Sequence, residues 1–284
     1  MSTKKYFILV LCLLSICTTF NFEGGLALAG GWELYAAGNQ ANRHGQYEEA
    51  IKLLTEAIES GHLMGVELAS AHFSRAFAYR SLGEFPQSLI DYNKAIEAQP
   101  SLAQDEYFFG ARAETLIGLG ELDQAMADVD TALKLSPDSA SLIDTRGVIF
   151  HRQGRYKKAD QDFRRALEIS PQMWQAKANL AWLLATCPEA EFRDGKEAVM
   201  LAESAVKVKP DYSTMDVLAA AYAESRRYEE AVKVMEMAIG VLIQLERKKL
   251  SEELQPHLAA YKQHTPWRQP SDPSAVSKKA NGQP

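Results

Sequence analysis

The sequence predicts an all-α protein: a solenoid of about six helix–turn–helix repeats with a C-terminal capping helix. One pattern recurs five or six times between Trp32 and Gly240 at nearly regular intervals. A small residue opens the second helix of each copy, at Ala50, Ser88, Ala125, Ala159, Ala198 and Ala231. A proline then ends four of these second helices, since proline cannot continue the helical hydrogen-bond ladder; the positions are Pro100, Pro137, Pro171 and Pro210.

An unbroken column of alanine stands seven positions after each opening position: Ala57, Ala95, Ala132, Ala166, Ala205 and Ala238. A bulky residue stands between the two columns in most copies, at Leu54, Tyr92, Val129, Phe163 and Met235, with Ala202 as the exception. Helical spacing places these columns on one face. An alanine in every copy suits a point where two helix backbones approach too closely for a larger side chain.

The clearest copy, residues 140–171, carries its small and aromatic residues at Gly147, Phe150, Gly154, Tyr156, Ala159, Phe163, Ala166 and Pro171. This pattern and its repeat period resemble those of the tetratricopeptide repeat (TPR) family. The resemblance implies a right-handed superhelix that holds other polypeptides. The predicted repeats are 31–64, 69–102, 106–139, 140–173, a variant repeat at 174–211, and 212–249, followed by a capping helix at 250–265 and a disordered tail at 266–284.

The fifth copy carries a short insertion between its helices, around 188–194. It resembles a variant module found toward the C-terminal end of many bacterial TPR proteins, through Asn179, Leu180, Ala181, Trp182, Arg193, Asp194, Gly195 and Ala198. The family implies an interaction module without catalytic activity. The inserted loop is either a second contact site or a plain longer turn.

The N-terminal segment, 1–29, has the pattern of a secretory signal peptide. Lys4 and Lys5 precede an apolar run at 6–17, and Ala27 and Ala29 form a small-residue cleavage site. The protein is therefore predicted to be exported, periplasmic or secreted. The alternative is an uncleaved membrane anchor, although such an anchor needs about 20 apolar residues.

Cleavage would leave one cysteine, Cys187, which can form no internal disulfide. Its position before Pro188 favours a buried helix end over a reactive thiol.

Three copies share an arginine in the first helix and an aspartate sixteen positions later: Arg75 with Asp91, Arg112 with Asp128, and Arg146 with Asp162. In copies one and six the same two positions are apolar: Ala37 with Leu53, and Leu218 with Val234. Because both members change character together, we expect a structural ion pair within each of the three repeats.

The second helix of copy six is predicted to run from Tyr228 toward Lys249, with a break near Pro256 before the capping helix. The capping helix would cover the end of the array. The alternative is that an apolar stripe pairs with a second copy of the protein and forms a homo-oligomer; its members are Val234, Ile239, Val241, Leu242 and Leu245.

The family resemblance also implies that the first helices line a concave groove. Its predicted residues are Tyr35, Asn39, Asn42, Arg43, Phe73, Phe77, Arg80, Tyr107, Glu114, Asp144, Val148, His151, Arg152 and Trp182. This aromatic-rich groove suits a peptide or helix segment of another protein. Alternatively, Phe73 and Phe77 pack against neighbouring repeats. The carboxylate clamp of chaperone-binding TPR proteins is disfavoured, because only Asn39 fits it and Tyr35 stands where a lysine is required.

Other function classes find little support. A net charge of −6 without a basic stripe argues against nucleic-acid binding. The sequence has no phosphate-binding loop and no zinc-protease pair, so no catalytic residue, metal ligand, cofactor or small-molecule substrate is predicted. The prediction is a non-enzymatic scaffold or adaptor that binds a partner peptide. The alternative is a self-associating envelope protein that uses its C-terminal helix.

Overall fold

The computed structural model describes residues 30–270. Thirteen α-helices and no β-strand occur in this range, which confirms the prediction of an all-α helical-repeat fold. No helix between residues 30 and 270 is both long enough and apolar enough to span a membrane. The predicted signal peptide and residues 271–284 of the predicted tail lie outside the described part of the chain.

Contacts divide the chain after Ala103 into two compact units. The described part of the first unit contains two helix pairs and a short 3-10 helix that begins at Pro100. The four helices are α1 Gly31–Arg43, α2 Tyr47–Glu59, α3 Val66–Ser81 and α4 Phe85–Ala98. Leu34, Leu54 and Ala78 belong to the core of this unit.

The second unit contains four helix pairs and a final single helix. The pairs are α5 Glu106–Leu119 with α6 Leu122–Leu135, α7 Ala140–Arg152 with α8 Tyr156–Ile169, α9 Trp174–Thr186 with α10 Gly195–Val208, and α11 Tyr212–Glu224 with α12 Tyr228–Gln244. The final helix is α13, Lys248–Lys262. The two helices of each pair are joined by a turn or a short loop and pack against each other.

Local signals explain where the helices begin and end. Asp105 accepts hydrogen bonds from the backbone N–H groups of Tyr107 and Phe108 at 2.8 and 3.0 Å, which caps the start of α5. Gly120 ends the same helix in the left-handed conformation, with φ +82°. In the turn after α11, Arg226 adopts the same left-handed conformation, with φ +62°.

The two columns of small residues lie at the helix contacts. All members of the later column are fully buried: Ala57, Ala95, Ala132, Ala166, Ala205 and Ala238. Gly147 of the first helix in the fourth repeat lies directly against Phe163 of the second helix. A Cβ atom added at Gly147 would be only 2.7 Å from the Phe163 ring. These columns therefore set how closely the helices of a pair approach.

The C-terminal end differs from its prediction. Helix α12 ends at Gln244 rather than near Lys249, because Glu246 adopts a left-handed conformation with φ +56°. Helix α13 then continues through Pro256 without the predicted break. Proline inside a helix costs about 3 kcal/mol. Burial of the apolar face of α13 against α12 outweighs that cost.

That packing also covers the stripe predicted to join two copies. Ile239 and Leu242 are buried in one cluster with Leu254, Leu258 and Tyr261 of α13, and Val234 is partly buried beside them. Ile239 and Leu242 therefore do not face solvent, although pairing of this stripe with a second copy requires it. The capping helix covers them because it lies against the same face of α12.

Candidate partner-binding site

The first helices of the second unit form a concave pocket. It has a volume of about 340 Å³ and draws its walls from α5, α7, α9 and α11. Glu114, Asp144 and Val148, three residues of the predicted groove, line it. The other lining residues are Ile117, Thr145, Trp174, Gln175, Ala178, Asn179, Ser213, Thr214 and Val217.

Asp144 is the buried charge of this pocket. Its side chain lies on α7, and the residue is only 6% exposed. The amide nitrogen of Asn179 on α9 lies 3.1 Å from each carboxylate oxygen. Burial raises the pKa of Asp144 to about 6, and the hydrogen bond from Asn179 opposes that rise only in part. Asp144 is thus a carboxylate that has lost most of its water and gained one amide donor.

A second pocket, of about 260 Å³, lies toward the C-terminal end of the unit. Trp182 lines it together with Tyr212, Asp216, Val217 and residues of α13. His257 of α13 places its ring 6.1 Å from Trp182 and hydrogen-bonds Asp216 at 2.9 Å through Nδ1. The predicted groove residue Trp182 therefore lies beside the capping helix.

Residues 265–270, which we call the C-terminal strap, lie across the end of α9. The ring of Trp267 lies 4.3 Å from that of His257. Arg268 donates to the carbonyl oxygen of Ala185 at 3.1 Å and pairs with Glu224. The backbone N–H of Gln269 donates to Thr186 at 3.0 Å. The prediction of a disordered tail is thus wrong for 266–270, because these polar contacts compensate for the weak apolar pattern of the segment.

His151 and Arg152 end α7 beside this strap. Burial and the neighbouring charge of Arg152 lower the pKa of His151 to about 4, although a hydrogen bond with Gln269 opposes the shift. His151 is therefore neutral at pH 7. Arg152 itself is exposed at the end of the helix.

In the first unit, several predicted groove residues contact their own neighbours. Asn42 donates to the carbonyl oxygen of Ser74 at 2.9 Å. The aromatic contacts are Phe73 with Tyr92 at 5.3 Å, Phe77 with Tyr47 at 6.1 Å, and Tyr35 with Trp32 at 5.3 Å. The guanidinium of Arg80 lies 5.4 Å from the ring centre of Phe77. Phe73 and Phe77 therefore pack against neighbouring helices.

The remaining predicted groove residues are more accessible. Asn39 is half-buried and Arg43 is exposed. Tyr107, in the second unit, is 68% exposed at the start of α5. Their place in a binding surface stays a prediction.

The three expected Arg–Asp pairs lie within hydrogen-bond distance. The Nε atoms of Arg75, Arg112 and Arg146 each lie 2.7 Å from a carboxylate oxygen of Asp91, Asp128 and Asp162. A second nitrogen of each guanidinium bonds the other carboxylate oxygen at 2.7 to 2.8 Å. Each pair joins the two helices of one repeat through a bidentate contact.

The Arg75–Asp91 pair has two further polar neighbours that the sequence did not indicate. His72 hydrogen-bonds the Asp91 carboxylate at 2.8 Å, and Arg75 also donates to the hydroxyl of Thr55 at 2.8 Å. Burial alone would raise the pKa of Asp91, but the hydrogen bonds from Arg75 and His72 hold it below its ordinary value.

The inserted loop of the fifth copy is tied to the helices around it. Arg193 donates to the carbonyl oxygens of Cys187 and Pro188 at 2.9 and 3.2 Å, and its Nε lies 3.2 Å from Glu224. Asp194 caps α10 by accepting from the backbone N–H of Glu197 at 2.9 Å. These bonds hold the loop against the neighbouring helices, and its role as a second contact site stays a prediction.

The described residues offer no constellation for metal binding. No group of three or more potential metal-ligating side chains comes together within residues 30–270. Cys187 is buried at the end of α9, and burial raises the pKa of its thiol.

Sequence reasoning did not include Asn179, Asp216 and His257 in the groove. Asn179 could have been considered from the sequence, since it belongs to the variant-module pattern and lies three positions before the predicted groove residue Trp182. Asp216 and His257 are far apart in the sequence, and only the packing of α13 brings them together.

Models of the tetratricopeptide repeat match residues 35–103, 108–139 and 140–173. Among relatives, the chain is 28% identical over 158 residues to a Lipoprotein NlpI homolog of Haemophilus influenzae, which covers 54% of this chain and 49% of the relative. It is 30% identical over 125 residues to Heat shock protein STI1 of Saccharomyces cerevisiae, covering 44% and 20% of the two chains. The matches therefore span about half the length of the first relative and less of the second.

Solved structures show the same fold. A tetratricopeptide repeat protein of Parabacteroides merdae matches with a TM-score of 0.54 and 19% identity, covering 82% of this chain and 96% of that chain. The APC/C hetero-tetramer Cut9-Hcn1 matches with a TM-score of 0.64 and 14% identity, covering 82% and 43%. At these identities the likeness concerns the fold alone.

Proposed function

Because this chain belongs to the tetratricopeptide repeat family, we propose that it is a non-enzymatic interaction protein that binds a segment of another protein. The binding site is the concave pocket of the second unit. The observation that carries this proposal is the pocket of about 340 Å³ between α5, α7, α9 and α11, which contains three residues of the predicted groove.

The chemistry of the pocket suits a peptide anchor. Ile117, Val148 and Val217 provide apolar wall, while Asp144 and Asn179 provide polar groups. A site of this kind buries an apolar side chain and fixes its orientation through a few hydrogen bonds. The corresponding part of the first unit is less suitable, since Phe73 and Phe77 already pack on their neighbours.

The test compares two substitutions of exposed or half-buried apolar residues. Val148→Glu places a charge in the pocket, whereas Met200→Glu places the same charge on the exposed surface of α10, where Met200 is 59% exposed. Proteins crosslinked to the wild type in cells are identified by mass spectrometry, and each candidate is then titrated in purified form. We expect Val148→Glu to weaken binding at least about 10-fold, a loss of about 1.4 kcal/mol, and Met200→Glu to leave it unchanged. Retained binding in Val148→Glu would overturn the proposal.

We further propose that the protein is exported. The signal-peptide pattern before Gly30 supports this, as does the name of one relative, a lipoprotein homolog. Fractionation followed by mass spectrometry of the N-terminus tests it. A released protein that begins near Gly30 is expected. A membrane-bound protein that keeps the segment 1–29 would instead establish the anchored alternative.

A further inference from the structure

The concave pocket is acidic. Asp144 and Glu114 both line it, and no lysine or arginine of the described residues does. We propose that this pocket binds a lysine or arginine side chain of the partner segment, with Asp144 holding the cationic group. The inference rests on the proposed function and specifies the chemistry of its ligand.

Asp144 has more accepting capacity than its neighbours use. An ionised carboxylate offers about four acceptor positions. Within residues 30–270, the amide nitrogen of Asn179 is the one hydrogen-bond donor to Asp144, shared between both oxygens at 3.1 Å. No cationic side chain of the described residues forms an ion pair with it. A nearly buried charge with so few partners is costly, and a bound cation would remove that cost.

The walls of the pocket suit the stem of a long basic side chain. Ile117, Val148 and Val217 present apolar surface beside the carboxylate. Lysine and arginine bury such stems on apolar surface while their charged ends reach a polar group. Trp174 also lines the pocket, and an indole ring attracts a cation that lies over its face.

A neutral or acidic ligand fits less well. A backbone amide could donate to Asp144 but would leave its charge uncompensated, and an acidic side chain would be repelled by both carboxylates. A metal ion would need further ligands, and no cluster of three potential ligating groups exists in the described part of the chain. The pocket is therefore expected to prefer a positively charged side chain over a neutral or an acidic one.

The experiment uses an end-blocked positional-scanning peptide library, in which no terminal charge can imitate a side chain. Wild type, Asp144→Asn and Asp138→Asn are compared. Asp138 is the matched control, since its side chain is 84% exposed ahead of α7 and it does not line the pocket. We expect wild type and Asp138→Asn to enrich arginine or lysine at one position. Asp144→Asn should lose that enrichment at least about 10-fold while keeping the apolar preferences beside it.

A selected arginine peptide is then compared with its citrulline form, which keeps the shape and removes the charge. The arginine form should bind wild type at least about 10-fold more tightly, and Asp144→Asn should bind both forms equally. Asparagine matches the shape of aspartate and can still bond Asn179, and a thermal unfolding curve of the variant checks its fold.

The possible outcomes separate the two proposals. Peptides captured without a basic preference, or with the same preference in Asp144→Asn, overturn the cation assignment but leave the groove proposal standing. Capture of no peptide, together with undiminished partner binding by Val148→Glu, overturns both. A basic preference that emerges only after Lys278 and Lys279 are replaced by alanine would identify the chain's own tail as the occupant and overturn the assignment to a partner.

Discussion

The guanidinium of Arg75 contacts the carboxylate of Asp91 with two nitrogens, at 2.7 and 2.8 Å, across the two helices of one repeat. The same contact recurs in the next two repeats, but its burial decreases along the chain. The aspartate side chain is 2% exposed in the first of the three pairs and 11% exposed in Arg146–Asp162. The same Arg–Asp pair therefore occurs at different degrees of solvent exposure, so the stability contribution of a more buried pair and a less buried pair can be compared within one protein.

The first prediction concerns the loss of one member of a pair. Arg75→Met should lower the free energy of unfolding by about 3–5 kcal/mol, because it leaves the Asp91 charge buried. Arg146→Met should cost less, since the Arg146 side chain is 32% exposed and water can reach its partner. Urea unfolding followed by circular dichroism measures both losses.

The sequence itself supplies a control for this prediction. At the equivalent positions the sixth repeat has Leu218 and Val234, which pack without charge. The double variant Arg146→Leu with Asp162→Val should therefore lose less stability than Arg146→Met alone, and within residues 30–270 this pair has no second hydrogen-bond partner such as His72. A double variant as unstable as the single one would show that the pair contributes through its own attraction rather than by avoiding an unpaired charge.

The second prediction concerns two buried ionisable groups of the second unit with opposite pH dependence. Asp144 has a pKa raised to about 6, so its burial costs stability at pH 7, and that cost disappears as the pH falls and the carboxyl is protonated. His151 has a pKa lowered to about 4, so its burial costs nothing at pH 7 and costs stability as the pH falls below 6.5. In the wild type the two effects partly cancel.

Single substitutions should separate the two effects. Asp144→Asn should stabilise the protein by on the order of 2–3 kcal/mol at pH 7, and this advantage should shrink toward pH 4. His151→Gln should change in the opposite sense, with its stability relative to wild type increasing as the pH falls. Urea unfolding at several pH values from about 4 to 7 measures both. An advantage of Asp144→Asn that does not change with pH would contradict a raised pKa.

The repeat architecture could be predicted from the sequence because it depends on local periodicity. The alanine columns and the Arg–Asp spacing recur at fixed helical positions, so Ala166 and the pair Arg146–Asp162 could be placed from spacing alone. Each such contact lies within one helix pair, where the turn fixes the geometry.

The contacts at the C-terminal end could not be predicted in this way. Trp267 meets His257, and Arg268 meets the distant Glu224, with no repeat to indicate either contact. The continuation of α13 through Pro256 likewise depends on tertiary packing that outweighs a local penalty. In the pocket, the family resemblance predicted Asp144 as a groove residue, but its burial and its hydrogen bond from α9 depend on how neighbouring repeats meet.

The third prediction concerns the C-terminal strap. Trp267→Ala should release the strap, because it removes the ring that packs on His257 and leaves Arg268 to hold the segment through Glu224 and Ala185. Trypsin cleavage after Arg268 should then accelerate at least about 10-fold, as expected when a local opening becomes easier by about 1.4 kcal/mol. Thr265→Ala is the control, since Thr265 lies on the same segment without such ring packing. Equal cleavage rates in wild type and Trp267→Ala would show that the ring does not hold the strap.

The fourth prediction uses two helical glycines of the second unit that have opposite surroundings. At Gly147 an added methyl group would lie 2.7 and 2.8 Å from two ring atoms of Phe163, and 3.3 Å from Asp162. At Gly240 it would meet nothing within 4 Å. Gly147→Ala should therefore cost about 1–3 kcal/mol through overpacking, even though alanine favours the helix. Gly240→Ala should stabilise by up to about 1 kcal/mol, because glycine has the greater backbone entropy to lose.

Thermal and urea unfolding of both variants measure these opposite effects. The propensity gain is the same in each case, so the difference between the two variants isolates the contact with Phe163. Gly147→Ala combined with Phe163→Leu should recover part of the loss, since the smaller side chain leaves room for the methyl group. If Gly147→Ala were as stabilising as Gly240→Ala, the close approach of α7 and α8 would not be set by the small residue at position 147.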